Sequence, residues 1–494
     1  MNMLIKKKRD EIIDYLKDAS NFKGNCNEVY VPSNNEELHN AISECHNNKT
    51  PFTVAGARTG LGGGCVPLEG AVISTEKLDR IIHIDKDNEI AFVEPGVLHG
   101  DLEEELDNIG YFLPPNPTEK NSSIGGNIAT NASGSRTFKY GAMRDFVESL
   151  AIYLTNGDKL CLKRGDHFFK DDNITIRSSG KKEYTLKRPK YLNPPVKHSA
   201  GYFSNQELDL IDLFIGSEGT LGVISEIGLR ITPKPEEVFG AVIFFDDYDN
   251  MFSFLRTARD RSIKSFKIPV GELKDISARL IEFYDDQALK LLRSKNSHIP
   301  EGAKSALWIE QEHTITNEDA LLNKWYELII EFTSLGDSTW IAMNEAEHRE
   351  FREFRHMLPL TVNEILSRND MRKFGTDIAV PDKYAKHIFE YLKSEIEKSG
   401  LQNAMWGHIG NSHFHANVMA KNDEELQKAH TFFDNAMAAA IRLGGTVSGE
   451  HGIGKLKKKY LLQMFGRENI EQMIAIKKAL DPNNLLGRGN IFDI

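Results

Sequence analysis

The chain is poor in cysteine. Four stand among 494 residues, Cys26, Cys45, Cys65 and Cys161. No two form C-x-x-C, so neither a zinc ribbon nor an iron–sulfur ladder is encoded within the chain. So few thiols in so long a chain point to a reducing compartment. Long hydrophobic runs are also missing, which argues against a bilayer-spanning helix. The N-terminal "MNMLIKKKRDEIIDYLKDAS" carries charge where a signal peptide needs its apolar stretch. A location in the cytoplasm, or peripherally at a membrane surface, is expected. Excess positive charge is absent: 61 basic residues face 72 acidic ones, for a net charge of −11. That excludes a nucleic-acid binder, which needs clustered Lys and Arg against phosphate. Internal repeats and low-complexity tracts are absent too.

What remains fits a globular protein too long for one core. Met3, Leu4, Ile12, Ile13 and Leu16 repeat at roughly helical spacing and predict an amphipathic N-terminal helix over 1–22. Ser33 to Glu36 predicts a capping box on a short helix that ends at Asn47 and Asn48. "PFTVAG" reads as a buried strand, and the chain from Ala71 to Gly110 as three strands and a helix. Asn156-Gly157 marks a hairpin turn. "ITPKPEE" reads as a linker, with a boundary near Pro235. The expected class is α+β: one domain over 23–236, a second over 237–440, and a C-terminal segment over 441–494 that returns to the first.

Two small-residue loops dominate the first half, "VAGARTGLGGGC" from Val54 to Cys65 and "NSSIGGNIATNASGS" from Asn121 to Ser135. Consecutive Gly, Ser and Asn leave backbone N–H groups uncovered, which makes nests for anions. A pair of such loops suits a pyrophosphate and a flat ring pressed against backbone. A P-loop is not present, because G-x-x-x-x-G-K-[ST] does not occur. A Rossmann fingerprint fails as well, since Cys65 stands where its last glycine belongs.

The second half offers "WGHIGNSHFHANV", with His408, His413 and His415 about a turn between two short strands. Two imidazoles and a carboxylate make a common site for zinc or manganese with positions left open for substrate. Glu450, in "GTVSGEHGIGKLKKK", is the natural third ligand. Spacing alone does not choose between His413 and His415.

Taken together, "AGARTGLGGG", "PPNPTEKNSSIGGNIATNASGSRTFKYGAMRDFV", "FIGSEGTLGVISE" and "SGEHGIG" resemble the FAD-dependent D-2-hydroxyacid dehydrogenases. That family includes D-lactate dehydrogenase, D-2-hydroxyglutarate dehydrogenase and the glycolate oxidase catalytic subunit. The resemblance implies an FAD-binding domain of the vanillyl-alcohol-oxidase (PCMH) type, followed by an α+β FAD-linked-oxidase C-terminal domain that caps the substrate. It implies that Gly56, Ala57, Arg58, Thr59, Gly60, Leu61, Gly63 and Gly64 wrap the FAD pyrophosphate. It adds Pro117, Thr118, Ser122, Gly125, Gly126, Asn127, Ala129, Gly219 and Val223 as the rest of the cofactor lining. No histidine lies in either loop, so the FAD is expected to be non-covalent. Where the family usually has Arg and Gly in its first loop, this chain has Ala55 and Arg58.

The family pattern G-H-x-G-D-G-N-x-H overlays His408 and His415, which makes His408, His415 and Glu450 the implied metal ligands. The family's Asp and Asn fall on Asn411 and His413. Oxidising a 2-hydroxyacid removes a hydroxyl proton and a hydride, and His451 is the implied base. Glycines 449, 452 and 454 are expected to let this loop lie against the flavin. Of Arg349, Arg352 and Arg355, Arg355 best overlays the family's substrate-carboxylate arginine, with Lys373 a weaker candidate. The implied reaction is oxidation of a D-2-hydroxyacid, D-lactate first, with D-2-hydroxyglutarate or glycolate as alternatives. Electrons would pass to a quinone, an electron-transfer flavoprotein, a cytochrome or an iron–sulfur subunit. A homodimer is compatible with all this. The rival readings are a non-redox flavoenzyme like alkylglycerone-phosphate synthase and a non-catalytic flavin subunit.

Overall fold

The computed structural model describes residues 3–170 and 172–494. Three sheets organise it. The first has four strands in the order Leu4–Lys6, Glu28–Val31, Ala71–Ser74, Phe52–Ala55. Its last three are parallel, and the helix Asn35–Asn47 makes the crossover between Glu28–Val31 and Phe52–Ala55. Every residue of Ala71–Ser74 is buried, as expected for a parallel strand covered on both faces. The second sheet is antiparallel, in the order Ile81–Asp85, Ile90–Val93, Val223–Arg230, Val147–Tyr153, Lys159–Lys163. Its last two strands form the hairpin that Asn156-Gly157 predicted, with Gly157 at φ +84°.

The third sheet has eight strands. Seven run in the order Trp340–Ala342, Glu237–Phe245, Ser305–His313, Ala278–Tyr284, Gln402–Gly407, His413–Ala420, Arg372–Gly375, and Ile378–Ala379 also pairs with His413–Ala420. The helix Glu345–Asn369 packs on it through Phe351 against Trp308 and Phe354 against Tyr284. All nine residues of Ser305–His313 are buried, including Glu310 and Glu312. Buried carboxylates need partners. Arg279 and His348 approach Glu310, while Lys139 and Tyr140 reach Glu312 from the short helix Thr137–Tyr140. An ionic network therefore joins the loop-rich half to the third sheet. One apolar core also runs through both halves, with Phe138 edge-on to Phe266 at 5.2 Å.

The N-terminus differs from the expected helix. Leu4–Lys6 is a strand on the edge of the first sheet, followed by one turn of helix at Arg9–Ile12 and a 3₁₀ turn at Ile13–Leu16. Pairing with Glu28–Val31 satisfies backbone groups that a short isolated helix would not, which overrides the apolar spacing. Met1 and Asn2 of that expected helix lie outside the described residues. The predicted capping box shifts by one residue. Asn34 is the N-cap and accepts from Glu37 N–H at 2.9 Å, while Glu37 reaches back to Ser33 N–H at 2.8 Å. "ITPKPEE" is not free linker, because Thr232–Pro233 pairs with Tyr111–Phe112.

The C-terminal helix Lys458–Leu480 leads into a tail that returns to the first sheet. Phe52 N–H donates to the Leu485 carbonyl at 2.7 Å, and Gly487 N–H donates to the Phe52 carbonyl at 2.9 Å.

Candidate active site

A cleft opens where the first two sheets meet. One wall is the loop leaving Phe52–Ala55. A second is the turn into the helix Ile124–Ala129, and a third is Ser217–Gly222, which leads into Val223–Arg230. Ser123 joins the first two walls: its Oγ accepts from Gly126 N–H at 3.3 Å as the helix cap and from Ala57 N–H at 3.4 Å. A Cβ on Gly56 would lie 2.2 Å from that oxygen, so only glycine allows the approach. Gly56, Ala57, Arg58, Thr59, Gly60, Gly64, Ser122, Gly125, Gly126, Asn127, Ala129 and Gly219 line the cleft.

The other expected cofactor residues lie outside that lining. Leu61 points to solvent, Gly63 faces Phe22, Val223 pairs with Tyr153 inside the second sheet, and Pro117 and Thr118 belong to a loop beside it, with Thr118 exposed. Arg58 adopts φ +61°, the conformation that glycine takes without strain. Its guanidinium lies 4.6 Å from the centre of the Tyr15 ring and 3.4 Å from Glu76.

The cleft fits a nucleotide cofactor by an independent sign. Ser122 Oγ and Asn127 Nδ2 are buried, line it, and have no hydrogen-bond partner. Buried polar atoms of that kind need a partner, and a bound nucleotide supplies one.

His451 also lines the cleft, with its side chain 28% exposed. Behind it lies a buried cluster. Glu450 is centred between two imidazoles, with Oε2 at 3.3 Å from His408 Nε2 and Oε1 at 3.2 Å from His415 Nε2. Each imidazole is fixed from behind. His408 Nδ1 meets Glu282 Oε1 at 2.5 Å, and His415 Nδ1 meets the Thr376 carbonyl at 3.2 Å. A carbonyl only accepts, so His415 carries its proton on Nδ1 and turns the Nε2 lone pair toward a carboxylate. Two imidazole nitrogens, each backed by an acceptor and facing one carboxylate, form a donor set suited to a divalent cation.

Residues outside the sequence reading complete the cluster. Asp377 is fully buried. Its Oδ1 accepts from His413 Nε2 at 2.9 Å and Glu450 N–H at 3.2 Å. Its Oδ2 accepts from Ser448 Oγ at 2.7 Å, Lys457 Nζ at 2.8 Å and His451 N–H at 3.1 Å. Lys197 donates to Glu450 Oε2 at 2.8 Å. Burial pushes the Glu450 carboxyl upward, but Lys197 and His408 outweigh it and hold it well below its ordinary value. Burial likewise opposes Glu282, and its contacts with His408 and Arg355 bring it down to about 2.

Arg355 is buried on Glu345–Asn369 and uses Nε to bind Glu282 Oε2 at 3.0 Å. Its two Nη groups have no hydrogen-bond partner among the described residues. Lys373 is exposed on Arg372–Gly375, opposite Met419. The glycines of "SGEHGIG" face protein. A Cβ on Gly449 would lie 2.7 Å from His413 Nε2, on Gly452 3.0 Å from the Glu218 carboxylate, and on Gly454 1.9 Å from the Gly62 carbonyl. Glu218 receives Ile453 N–H at 2.7 Å and Gly454 N–H at 2.6 Å. Burial raises its carboxyl to about 7.

Residues 27–161 match the family described as FAD binding domain, and residues 234–491 match FAD linked oxidases, C-terminal domain. The chain belongs to the FAD-linked oxidases. It is 30% identical over 476 residues to glycolate oxidase subunit GlcD of Bacillus subtilis (strain 168), covering 94% of this chain and 88% of that protein. It is 28% identical over 468 residues to a D-lactate dehydrogenase of Anaerostipes hadrus, covering 92% and 87%. Solved structures share the fold. One is p-cresol methylhydroxylase with substrate bound, at TM-score 0.70 and 15% identity, over 99% of this chain and 94% of that one. Another is an alkyldihydroxyacetonephosphate synthase, at TM-score 0.67 and 15% identity, over 98% and 81%. The architecture is therefore the PCMH-type FAD-binding domain with an FAD-oxidase C-terminal domain, and this FAD-linked oxidoreductase uses the cofactor its loops announced. None of the described helices is long and apolar enough to cross a membrane.

Proposed function

We propose that this FAD-linked oxidase oxidises a D-2-hydroxyacid, D-lactate first among candidates, to the 2-oxoacid. One observation carries the reading: His451 is the residue through which the cofactor cleft meets the buried carboxylate–imidazole cluster, with its Nε2 3.4 Å from Glu450 Oε1. Bound FAD supplies the acceptor for the hydride leaving the α-carbon. A divalent cation, zinc or manganese, held by His408, His415 and Glu450, supplies the Lewis acidity that lowers the pKa of the substrate hydroxyl.

The chain's own residues do the rest. His451 takes the hydroxyl proton, and Asp377 holds it by its backbone N–H and faces its Nδ1 at 3.5 Å. Arg355 offers its unengaged Nη groups to the substrate carboxylate as a fork. Glu282 fixes Arg355 and His408 together, so the carboxylate site and the ligand imidazole keep one spacing. D-2-hydroxyglutarate and glycolate are the alternative substrates. A quinone, an electron-transfer flavoprotein, a cytochrome or an iron–sulfur subunit is the electron acceptor, in line with the absence of C-x-x-C. The shared fold of alkyldihydroxyacetonephosphate synthase brings no reaction with it, and a non-redox role leaves Glu450 and its imidazoles without a task.

The test is anaerobic mixing of the purified flavoprotein with D- and L-2-hydroxyacids, with and without a chelator. Bleaching of the oxidised flavin band by a D-acid, slowed by chelation, is expected. A band unchanged by every acid after reloading with FAD and metal refutes the proposal.

A further inference from the structure

His413 is fully buried and stands where the family pattern has asparagine. Its Nε2 is committed to Asp377 Oδ1 at 2.9 Å. Its Nδ1 is buried with no hydrogen-bond partner. The ring centre lies 4.5 Å from that of His415 and 5.4 Å from that of His408. One nitrogen from each of His408, His413 and His415, with an oxygen of Glu450, fall within 4.8 Å of one another. The loop is shaped around this ring, since Gly449 leaves no room for a Cβ above it.

A buried ring nitrogen with no partner is costly, so it calls for an explanation. All three imidazoles share one construction. Each ties one nitrogen to an acceptor: Glu282 for His408, Asp377 for His413, and the Thr376 carbonyl for His415. A carboxylate behind the first nitrogen orients the ring and strengthens the second as a metal ligand. An asparagine at this position is too short to reach Asp377 as His413 Nε2 does, and it offers no imidazole nitrogen.

We propose that His413 Nδ1 is a third imidazole ligand, so that this chain holds its cation with three histidines and Glu450. The proposal rests on the metal reading above and extends it. With four protein donors a six-coordinate ion keeps two positions, enough for the hydroxyl and one carboxylate oxygen of a 2-hydroxyacid.

The test uses FAD-loaded protein stripped with a chelator and titrated with Zn²⁺ or Co²⁺ against a chromophoric competitor. His413→Asn is expected to weaken binding at least tenfold and to change the visible absorption of the bound Co²⁺, with the flavin spectrum intact. Zinc-edge X-ray absorption of the zinc-loaded unmutated protein counts imidazoles directly and needs no variant: three support the proposal. Two imidazoles overturn it, as does a variant with unchanged affinity and an unchanged Co²⁺ spectrum. Failure of the unmutated protein to bind either ion overturns the metal reading itself, a result distinct from loss of His413 alone.

Discussion

Replacing Asp377 by asparagine tests how the Glu450–His451 pair is held. The change keeps the shape and removes one charge and one acceptor. Oδ1 serves His413 Nε2 and Glu450 N–H, while Oδ2 serves Ser448 Oγ, Lys457 Nζ and His451 N–H. Whichever way the amide turns, its NH₂ meets at least one backbone N–H that has no freedom to reverse. One orphaned buried N–H costs about 1–3 kcal/mol. Lys457, itself buried, also loses its carboxylate, and breaking a buried ion pair from one side costs about 3–5 kcal/mol. Together these lower the thermal midpoint by several degrees. They also free the dipeptide that aims the base, so kcat is expected to fall about 100-fold or more, within the range for misplacing a general base. The assay is dye-linked turnover at saturating FAD, beside thermal unfolding. A kcat within twofold of the parent and an unmoved midpoint would refute the argument.

His451→Gln keeps a hydrogen-bonding side chain but no base. Turnover should fall about 10²–10⁴-fold while the flavin spectrum and thermal midpoint stay unchanged. Glu218, with its carboxyl raised to about 7 by burial, binds more protons folded than unfolded between pH 4.5 and 7. Its contribution to stability is therefore greatest at the acid end and is lost as pH rises through 7. Glu218→Gln should flatten that dependence in unfolding curves measured from pH 5 to 8, at the cost of one N–H turned against its amide. Gly454→Ala places a methyl on the Gly62 carbonyl in a left-handed backbone. It should weaken FAD retention on dilution, measured by flavin fluorescence. Arg58→Gly relieves the φ +61° strain but removes the contact with Tyr15 and Glu76, so apoprotein stability should change by no more than about 1 kcal/mol.

Some of this was legible from residues alone, for a physical reason. The hairpin at Asn156-Gly157 and the glycine loops are local signals, each set by a few neighbours in sequence. The N-terminal strand was not legible. Leu4–Lys6 takes its conformation from a partner strand some two dozen residues on, and three residues carry no period of their own. Arg58 shows the same limit. The family pattern has glycine where Arg58 stands, whereas the φ of +61° and the tie to Tyr15 belong to the folded chain.

The cluster shows where sequence reading stops. The three histidines and Glu450 announce themselves by residue type and spacing, while the choice of His415 over His413 and the role of His451 rest on the family resemblance. The groups that fix them come from afar: Glu282 lies 126 residues from His408, and Lys197 lies 253 from Glu450. The folded arrangement also explains why a carboxylate and an imidazole stand side by side at 450 and 451. Both backbone N–H groups are taken by one buried carboxylate, Asp377, so the two side chains diverge from a common anchor, Glu450 inward to the imidazoles and His451 outward to the cleft. The charges around them already pair off, Glu282 with Arg355, Asp377 with Lys457 and Glu450 with Lys197. The imidazoles are the groups left with a nitrogen to give. A site whose carboxylates are neutralised by fixed cations, with its neutral donors turned inward, binds a cation through nitrogen first. On the proposed metal reading, the histidine count, more than the acidic count, decides how tightly a cation is held.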